Sequence, residues 1–293
     1  MTHTRRQLTQ GALGLLLAAC APARSPDRSQ PAFGAIEQRI GGRIGVFALD
    51  TGSGRHLAHR ADERFAMCST FKWLLAAAVL AQVDRRALSR MDPISYSAED
   101  LLDYSPITRA HLEADAGTST SLSVEALAEA AVTVSDNTAA NLLLAKLGGP
   151  ATLTAFAHEC GDPVTRLDRN EPSLNENTPG DPRDTTTPRA MVTLMRRLLC
   201  EDPLSTASRA LLLRWLRECK TGHERLRAGV PSGWSAGDKT GTGPRGATND
   251  LAIVWPPQRA PLLIAAYLSD SDSEPHQLSL AHADIARLVV AHL

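Results

Sequence analysis

Apolar residues in the long middle of the chain recur at helical spacing. SVEALAEAAV, NTAANLLLAKLGG, ATLTAFAHECG, PRAMVTLMRRLLC and STASRALLLRWLREC each set Leu, Val, Ala or Phe at every third or fourth position, the signature of helices that bury one face. Residues 68–81, CSTFKWLLAAAVLA, are apolar almost throughout and predict the opening of a buried helix. Gly148-Gly149 and Gly161 fall where helix C-caps belong. The two ends read differently. FGAIEQRI predicts a short helix, RIGVFALD and RHLAHR a hairpin joined by TGSG, and GWSAGDKTGTG, DLAIVW and PLLIAAYLS three more strands before the amphipathic helix HADIARLVVAHL. Strands at both ends with helices between predict an α/β fold, a three-layer α/β/α arrangement whose sheet is built from both termini. The sheet part takes residues of about 32–66 and 223–293, and an all-helical part about 67–222. A cleft between the two parts is the natural site.

One stretch breaks the helical run. VTRLDRNEPSLNENTPGDPRDTTTP, residues 164–188, is polar, studded with proline and longer than a connector requires, as functional loops are. The start of the chain also stands apart. MTHTRRQLTQ carries two arginines and no acid, GALGLLLAA is a short apolar run, and Cys20 closes it. The run is too short to span a bilayer, and residues 1–19 predict a signal peptide. Leu17-Ala18-Ala19-Cys20 resembles a bacterial lipobox, and Thr4-Arg5-Arg6-Gln7-Leu8 resembles a twin-arginine export signal. The expectation is an exported chain, periplasmic or anchored to a membrane by a lipid on Cys20. Residues 20–31 would form a flexible tether and 32–293 the folded domain.

Lys plus Arg number 31 and Asp plus Glu 32, a balance that gives no reason to expect nucleic acid or a strongly anionic membrane as partner. Small substrates and a monomeric chain are expected instead. Export permits disulfides between Cys68, Cys160, Cys200 and Cys219, but their spacing selects no pairing and matches no zinc pattern. Free, buried thiols and no metal or cofactor are expected.

Three polar clusters carry the candidate chemistry. Ser69 and Lys72 are three residues apart, so a helix places them on one face within reach of each other. A buried ammonium needs acceptors, and a serine near a helix start lies among unpaired N–H groups that favour a developing oxyanion. An N-cap serine beside a snorkelling lysine would show the same spacing. Ser135-Asp136-Asn137 ahead of a helix and Lys239-Thr240-Gly241 in a strand each have equally plain accounts as capping and turn chemistry. SxxK, SDN and KTG together and in this order form the set shared by class A β-lactamases and penicillin-binding proteins.

On those residues the chain resembles a class A serine β-lactamase from about residue 35 to its end. RLDRNEPSLN is similar to that family's omega loop. The resemblance implies an acyl-enzyme mechanism with Ser69 as nucleophile, Lys72 or Glu171 as its base, Ser135 as proton relay, Lys239 holding Ser135 and the substrate carboxylate, and Glu171 activating the deacylating water. It also implies an oxyanion hole from the N–H groups of Ser69 and Thr242, an Arg169–Asp184 ion pair closing the loop, and a cis Glu171-Pro172 bond. Asn175 would help hold the water, Asn137 would take the amide side chain of the drug, and Tyr104 would wall the cleft. Thr240, Gly241, Thr242 and an arginine would grip the substrate carboxylate. Thr248 stands where some relatives place that arginine, which moves the role to Arg225. Cys68 lacks the partner cysteine of some carbapenem-hydrolysing relatives, since Gly243 stands there, and Ala76 replaces the first cysteine of another common disulfide. The implied substrates are penicillins and cephalosporins. Two rivals remain at this point: a penicillin-binding peptidase or transpeptidase, which would lack the deacylating glutamate, and a non-catalytic β-lactam-binding sensor lipoprotein.

Overall fold

The computed structural model describes residues 29–115 and 117–293. The expected signal peptide, Cys20 and the tether as far as residue 28 lie outside the described residues. In chain order the elements are α1 (Ser29–Ile40), β1 (Arg43–Asp50), β2 (His56–His59), β3 (Phe65–Ala66), α2 (Phe71–Asp84), β4 (Pro93–Ser97), α3 (Pro106–Asp115), β5 (Ser119–Ser123), α4 (Val124–Thr133), α5 (Asn137–Leu147) and α6 (Pro150–Glu159). After the long loop follow β6 (Thr185–Thr186), α7 (Pro188–Cys200), α8 (Thr206–Arg217), β7 (Ser235–Thr242), β8 (Thr248–Trp255), β9 (Leu262–Ser269) and α9 (Pro275–His292).

β2, β1, β9, β8 and β7 form one antiparallel sheet in that order, so strands from the two ends of the chain meet at its centre. Both faces are buried. Ile44, Val46 and Ala48 of β1 with Ile264 and Ala266 of β9 pack under α1 and α9. Phe47, Leu263, Ala265 and Tyr267 point the other way, into a core shared with α2, α4, α5, α7 and α8. A strand buried on both sides loses the apolar–polar alternation, which is why PLLIAAYLS reads as a continuous hydrophobic run. α2 lies at the middle of the helical part, with every side chain from Phe71 to Ala81 buried. A helix covered on all sides needs no polar face.

The structure corrects several expectations. The tether was expected to run to residue 31, but α1 begins at Ser29. Phe33, Ile36 and Ile40 on that helix are buried against α9 and the sheet, and residues 29–31 supply the turn that leads into them. α9 likewise starts at Pro275, ahead of the predicted HADIARLVVAHL, with Pro at its first turn and Leu278 and Ala281 already in the core. The part expected to be all helical contains a small two-stranded sheet, β4 paired antiparallel with β5 from Pro93↔Ser123 to Ser97↔Ser119 across the intervening α3. PISYS and STSLS are too short and polar to stand out as strands. The four described cysteines are free, but only Cys68 and Cys219 are buried; Cys160 is half-buried and Cys200 exposed. Burial pushes the Cys68 thiol up to about 12, away from thiolate chemistry. Among the described residues, no helix is long and apolar enough to cross a membrane.

Candidate active site

Ser69 sits in a single 3-10 turn, Cys68–Thr70, that leads directly into α2. It therefore precedes the α-helix instead of opening it, and Thr70 occupies the cap without a capping side-chain bond. Cys68 holds φ +47°, an uncommon conformation for a residue with a Cβ. Gly241 of β7 explains how the sheet edge can approach this turn. A Cβ at that position would lie 2.7 Å from the Met67 carbonyl oxygen and 3.1 Å from the Thr70 nitrogen, so only glycine fits. Asn249 of β8 secures the same turn, donating from Nδ2 to the carbonyls of Ala66 (2.9 Å) and Met67 (3.1 Å).

Lys72, the second residue of α2, is fully buried. Its Nζ donates to Ser69 Oγ at 3.0 Å and to the Ser135 carbonyl at 2.9 Å, and it lies 2.9 Å from Glu171 Oε1. Asn137 Oδ1 and Ser135 Oγ are further acceptors within reach. Burial holds the Lys72 ammonium below its ordinary range, against the charge of Glu171. Ser69 Oγ in turn donates to Glu171 Oε1 at 3.0 Å. Hydroxyl, amine and carboxylate thus form one closed triangle.

Ser135 holds φ +62° between α4 and α5. Its Oγ stands between the two lysines, 3.3 Å from Lys72 Nζ and 3.1 Å from Lys239 Nζ. Asp136 caps α5, accepting the Ala139 N–H and also the N–H groups of Ile107 and Thr108. In this cluster Asp136 carries the capping role, while Ser135 faces the two lysines. Lys239 is buried in β7, and that burial, with the charge of Lys72, lowers it to about 8. Arg225 lies across the end of the strand, donating to the carbonyls of Gly241 (2.9 Å) and Asn249 (2.7 Å) and to Thr242 Oγ1 (2.7 Å).

The omega loop brings Glu171 in. Arg169 Nε donates to Asp184 Oδ2 at 2.6 Å, and Asp184 Oδ1 accepts the N–H groups of Asp168 and Arg169. The Glu171-Pro172 bond is cis. Asn175 Nδ2 donates to Glu171 Oε2 at 2.5 Å and to the Pro172 carbonyl at 2.9 Å. Asn141 of α5 was not singled out from the sequence, yet it clamps the glutamate's backbone from both sides: its Nδ2 donates to the Glu171 carbonyl at 2.9 Å and its Oδ1 accepts the Glu171 N–H at 3.0 Å. One turn from Asn137 on the same helix face, it could have been found by its i, i+4 spacing.

These elements enclose a cleft of about 370 Å³. Tyr104, Asn137, Asn175, Arg225, Thr240, Gly241 and Thr242 all line it, together with Ser69 and Ser135, so the structure brings every sequence-predicted binding residue to one place. Thr221 lines it too and was not predicted; its hydroxyl lies 2.5 Å from that of Thr240. A second hollow of about 410 Å³ behind the loop, between Arg64 and Arg183, holds no candidate nucleophile. Among the described residues no cluster of His, Cys, Asp or Glu could hold a metal ion.

Residues 30–293 match the family described as the β-lactamase enzyme family. The chain belongs to that family. A β-lactamase named CTX-M-8, from Citrobacter amalonaticus, is 42% identical over 278 residues, covering 95% of this chain and 92% of its own. β-Lactamase AST-1 of Nocardia asteroides is 47% identical over 264 residues, 89% of this chain and 83% of that one. The carbapenem-hydrolyzing β-lactamase KPC of Klebsiella oxytoca is 45% identical over 262 residues, 89% and 87% of the two chains. Among solved structures, an ancestral (GNCA) class A β-lactamase superposes with a TM-score of 0.87 at 54% identity, over 90% of this chain and 99% of that one. The putative class A β-lactamase PenP from Rhodopseudomonas palustris gives 0.87 at 51%, over 91% and 100%. The chain has the class A fold and is a serine β-lactamase, a hydrolase of β-lactams. In this β-lactamase Gly243 faces Cys68, where a Cβ would lie 2.8 Å from the Cys68 sulfur.

Proposed function

We propose that this β-lactamase opens penicillins and cephalosporins through a Ser69 acyl-enzyme, and that Glu171 releases the product. The observation that carries the reading is the closed triangle of Ser69 Oγ, Lys72 Nζ and Glu171 Oε1, whose sides measure 3.0, 2.9 and 3.0 Å. In acylation the Ser69 hydroxyl gives its proton to Lys72 or Glu171 while its oxygen bonds to the lactam carbonyl carbon. Burial favours the neutral, accepting form of Lys72. The N–H groups of Ser69 and Thr242 hold the oxyanion, an arrangement worth about 2.7–4 kcal/mol per donor. The C–N bond then breaks, and Ser135 passes a proton to the departing nitrogen, replenished from the lysines on either side of its Oγ. Lys239, Thr240, Thr242 and Arg225 take the substrate carboxylate, with Gly241 shaping that wall. Asn137 and Tyr104 meet the acylamide side. In deacylation Glu171, held by Asn175 and Asn141, draws a proton from water as the water oxygen attacks the ester carbon; the bond from that carbon to Ser69 Oγ then breaks and the proton passes to Ser69 Oγ.

Glu171 separates this reading from a transpeptidase, which keeps the serine and lysines but has no such base. The KPC relative is named for carbapenem hydrolysis; for this chain the reading stops at penicillins and cephalosporins, since Gly243 denies Cys68 a disulfide partner. Residues 1–19 and Cys20 support export and anchoring by lipid, in the periplasm or at a membrane, and a monomer suffices for a site built within one chain.

The test is Glu171→Ala with benzylpenicillin, followed by mass spectrometry of the intact protein. The variant should carry a persistent adduct of the whole drug on Ser69 and turn over about 10²–10⁴ times more slowly, the usual loss of a general base. Turnover at the parent's rate would remove Glu171 from the mechanism.

A further inference from the structure

Behind the wall that grips the substrate carboxylate lie two buried acids, Asp238 on β7 and Asp250 on β8. In the ladder Asp238 pairs with Ala252 and Thr240 with Asp250, so the two acids stand diagonally on one face of the sheet. Each has one oxygen occupied. Arg227 donates to Asp238 Oδ1, and the Leu226 N–H donates to Asp250 Oδ2 at 3.0 Å. The other two oxygens, Asp238 Oδ2 and Asp250 Oδ1, are buried without a nitrogen or oxygen donor, and the weakly donating Cys219 thiol lies beside Asp238. Gly222 closes over the first of them, since a Cβ there would fall 1.8 Å from Asp238 Oδ2.

Two ionised carboxylates, each with an unbonded buried oxygen, repel each other, and Arg225 and Arg227 leave those two oxygens unpaired. A single proton relieves both faults. The charged and titratable groups around them fit this. Arg225 and Arg227 face them from the chain ahead of β7, and Cys219 and Lys239 lie beside Asp238. His282 of α9 lies within reach of Arg225 and is held near 3, hence neutral, by burial and by that charge. Burial together with the charge of Asp238 raises Asp250 well above the ordinary carboxylate range, and burial raises Asp238 as well.

We propose that Asp238 and Asp250 hold one proton between them, and that Asp250 is a positioning residue for Arg225, acting through the Leu226 N–H. With one proton in the pair, Arg225 and Arg227 face a single negative charge, and the positive charge left over is available to the substrate carboxylate. With none, the charges cancel and the grip weakens. The inference rests on the Ser69 mechanism above, in which Arg225 meets that carboxylate.

The experiment compares Asp250→Asn and Asp250→Ala with the full-length parent. Each is first checked by mass spectrometry for Ser69 acylation and by thermal melting for folding. At neutral pH the parent's infrared spectrum should hold a protonated-carboxyl band that Asp250→Asn removes. Asp250→Ala leaves the Leu226 N–H without its acceptor and should raise KM for benzylpenicillin roughly tenfold or more, with a smaller effect on kcat. Asp250→Asn keeps the acceptor and neutral charge and should recover most of that loss. Its KM should also climb less than the parent's at alkaline pH, where the parent gives up the shared proton. No carboxyl band lost in Asp250→Asn, or a KM as high as that of Asp250→Ala, overturns the proposal. If Asp250→Ala does not fold, the band and the alkaline KM of Asp250→Asn decide alone. A parent that forms no Ser69 adduct would fail the mechanism itself, which is a different result.

Discussion

Replacing Lys239 by methionine removes a buried ammonium while keeping most of the volume of its side chain. In the folded protein Lys239 titrates near 8, against an ordinary value of 10.5, chiefly because burial penalises its charge. At 1.36 kcal/mol per pH unit, keeping it protonated at neutral pH costs about 3 kcal/mol relative to the unfolded chain. The ammonium returns part of this through its bonds to Ser135 Oγ at 3.1 Å and the Thr240 carbonyl at 2.9 Å. Losing them costs about 1 kcal/mol net. Lys239→Met should therefore be about 2 kcal/mol more stable than the parent at pH 7. For a domain of this size that corresponds to a melting temperature higher by about 4–8 °C.

The dependence on pH separates this account from a simple gain in packing. Between 8 and 10.5 the unfolded chain keeps the Lys239 proton and the folded chain has lost it, so the parent's stability rises with pH across that window. The variant has no such group. Its advantage should shrink by about 3 kcal/mol from below pH 8 to above pH 10.5. Lys72 is also held low and is present in both proteins, and the loss of repulsion between it and Lys239 is part of the variant's gain. Over the same experiment kcat/KM for benzylpenicillin should fall about 100-fold, as expected when a charge-assisted contact to the reacting ligand is lost. Urea melts of both proteins across pH 6–10.5 and steady-state rates at pH 7 are the measurements. A variant no more stable than the parent at pH 7, or a constant stability difference across the window, would refute the reasoning.

Asn141→Ala removes both bonds to the Glu171 backbone. Deacylation should slow about tenfold, seen as a burst of β-lactam consumption followed by a slower steady rate, and an unchanged steady rate would show that the clamp does not position the base. Leu75→Ala, at a fully buried position in the centre of α2, should cost about 2–5 kcal/mol in urea denaturation while leaving KM near the parent's.

The sequence made the site legible because its chemistry is concentrated in short motifs. Ser69 with Lys72, Ser135 with Asn137, and Lys239 with Thr240 and Gly241 each sit within four residues, and each motif falls at the start of a helix or on a strand that hydrophobic spacing identifies. Residues that act across the fold on backbone atoms leave a fainter trace, Asn141 only its spacing from Asn137 and others none. Asn249 bonds carbonyls more than 180 positions away, and in the sequence it is one more asparagine in a strand. The β4–β5 pair escaped because its apolar positions, Ile94, Tyr96 and Leu122, are too few to set a period. The start of α1 was missed for a different reason: its polar, proline-containing first turn is held by burial further along the helix, and tertiary packing overrode local composition.

Cys68 and Ser135 both hold positive φ without being glycine, and such conformations cost of order 1–3 kcal/mol each. Lys72 and Lys239 are buried cations whose charged forms the interior disfavours. Together these burdens are comparable with the whole net stability of a typical domain. They are carried by what surrounds them: α2 is covered on every side, and the sheet is packed on both faces. The turn that carries Cys68 and Ser69 runs straight into α2, which is buried from Phe71 to Ala81. That continuity holds the turn bearing Ser69 in a conformation it would not keep alone, and it places stabilising substitutions at the site itself, where each would remove something the reaction uses.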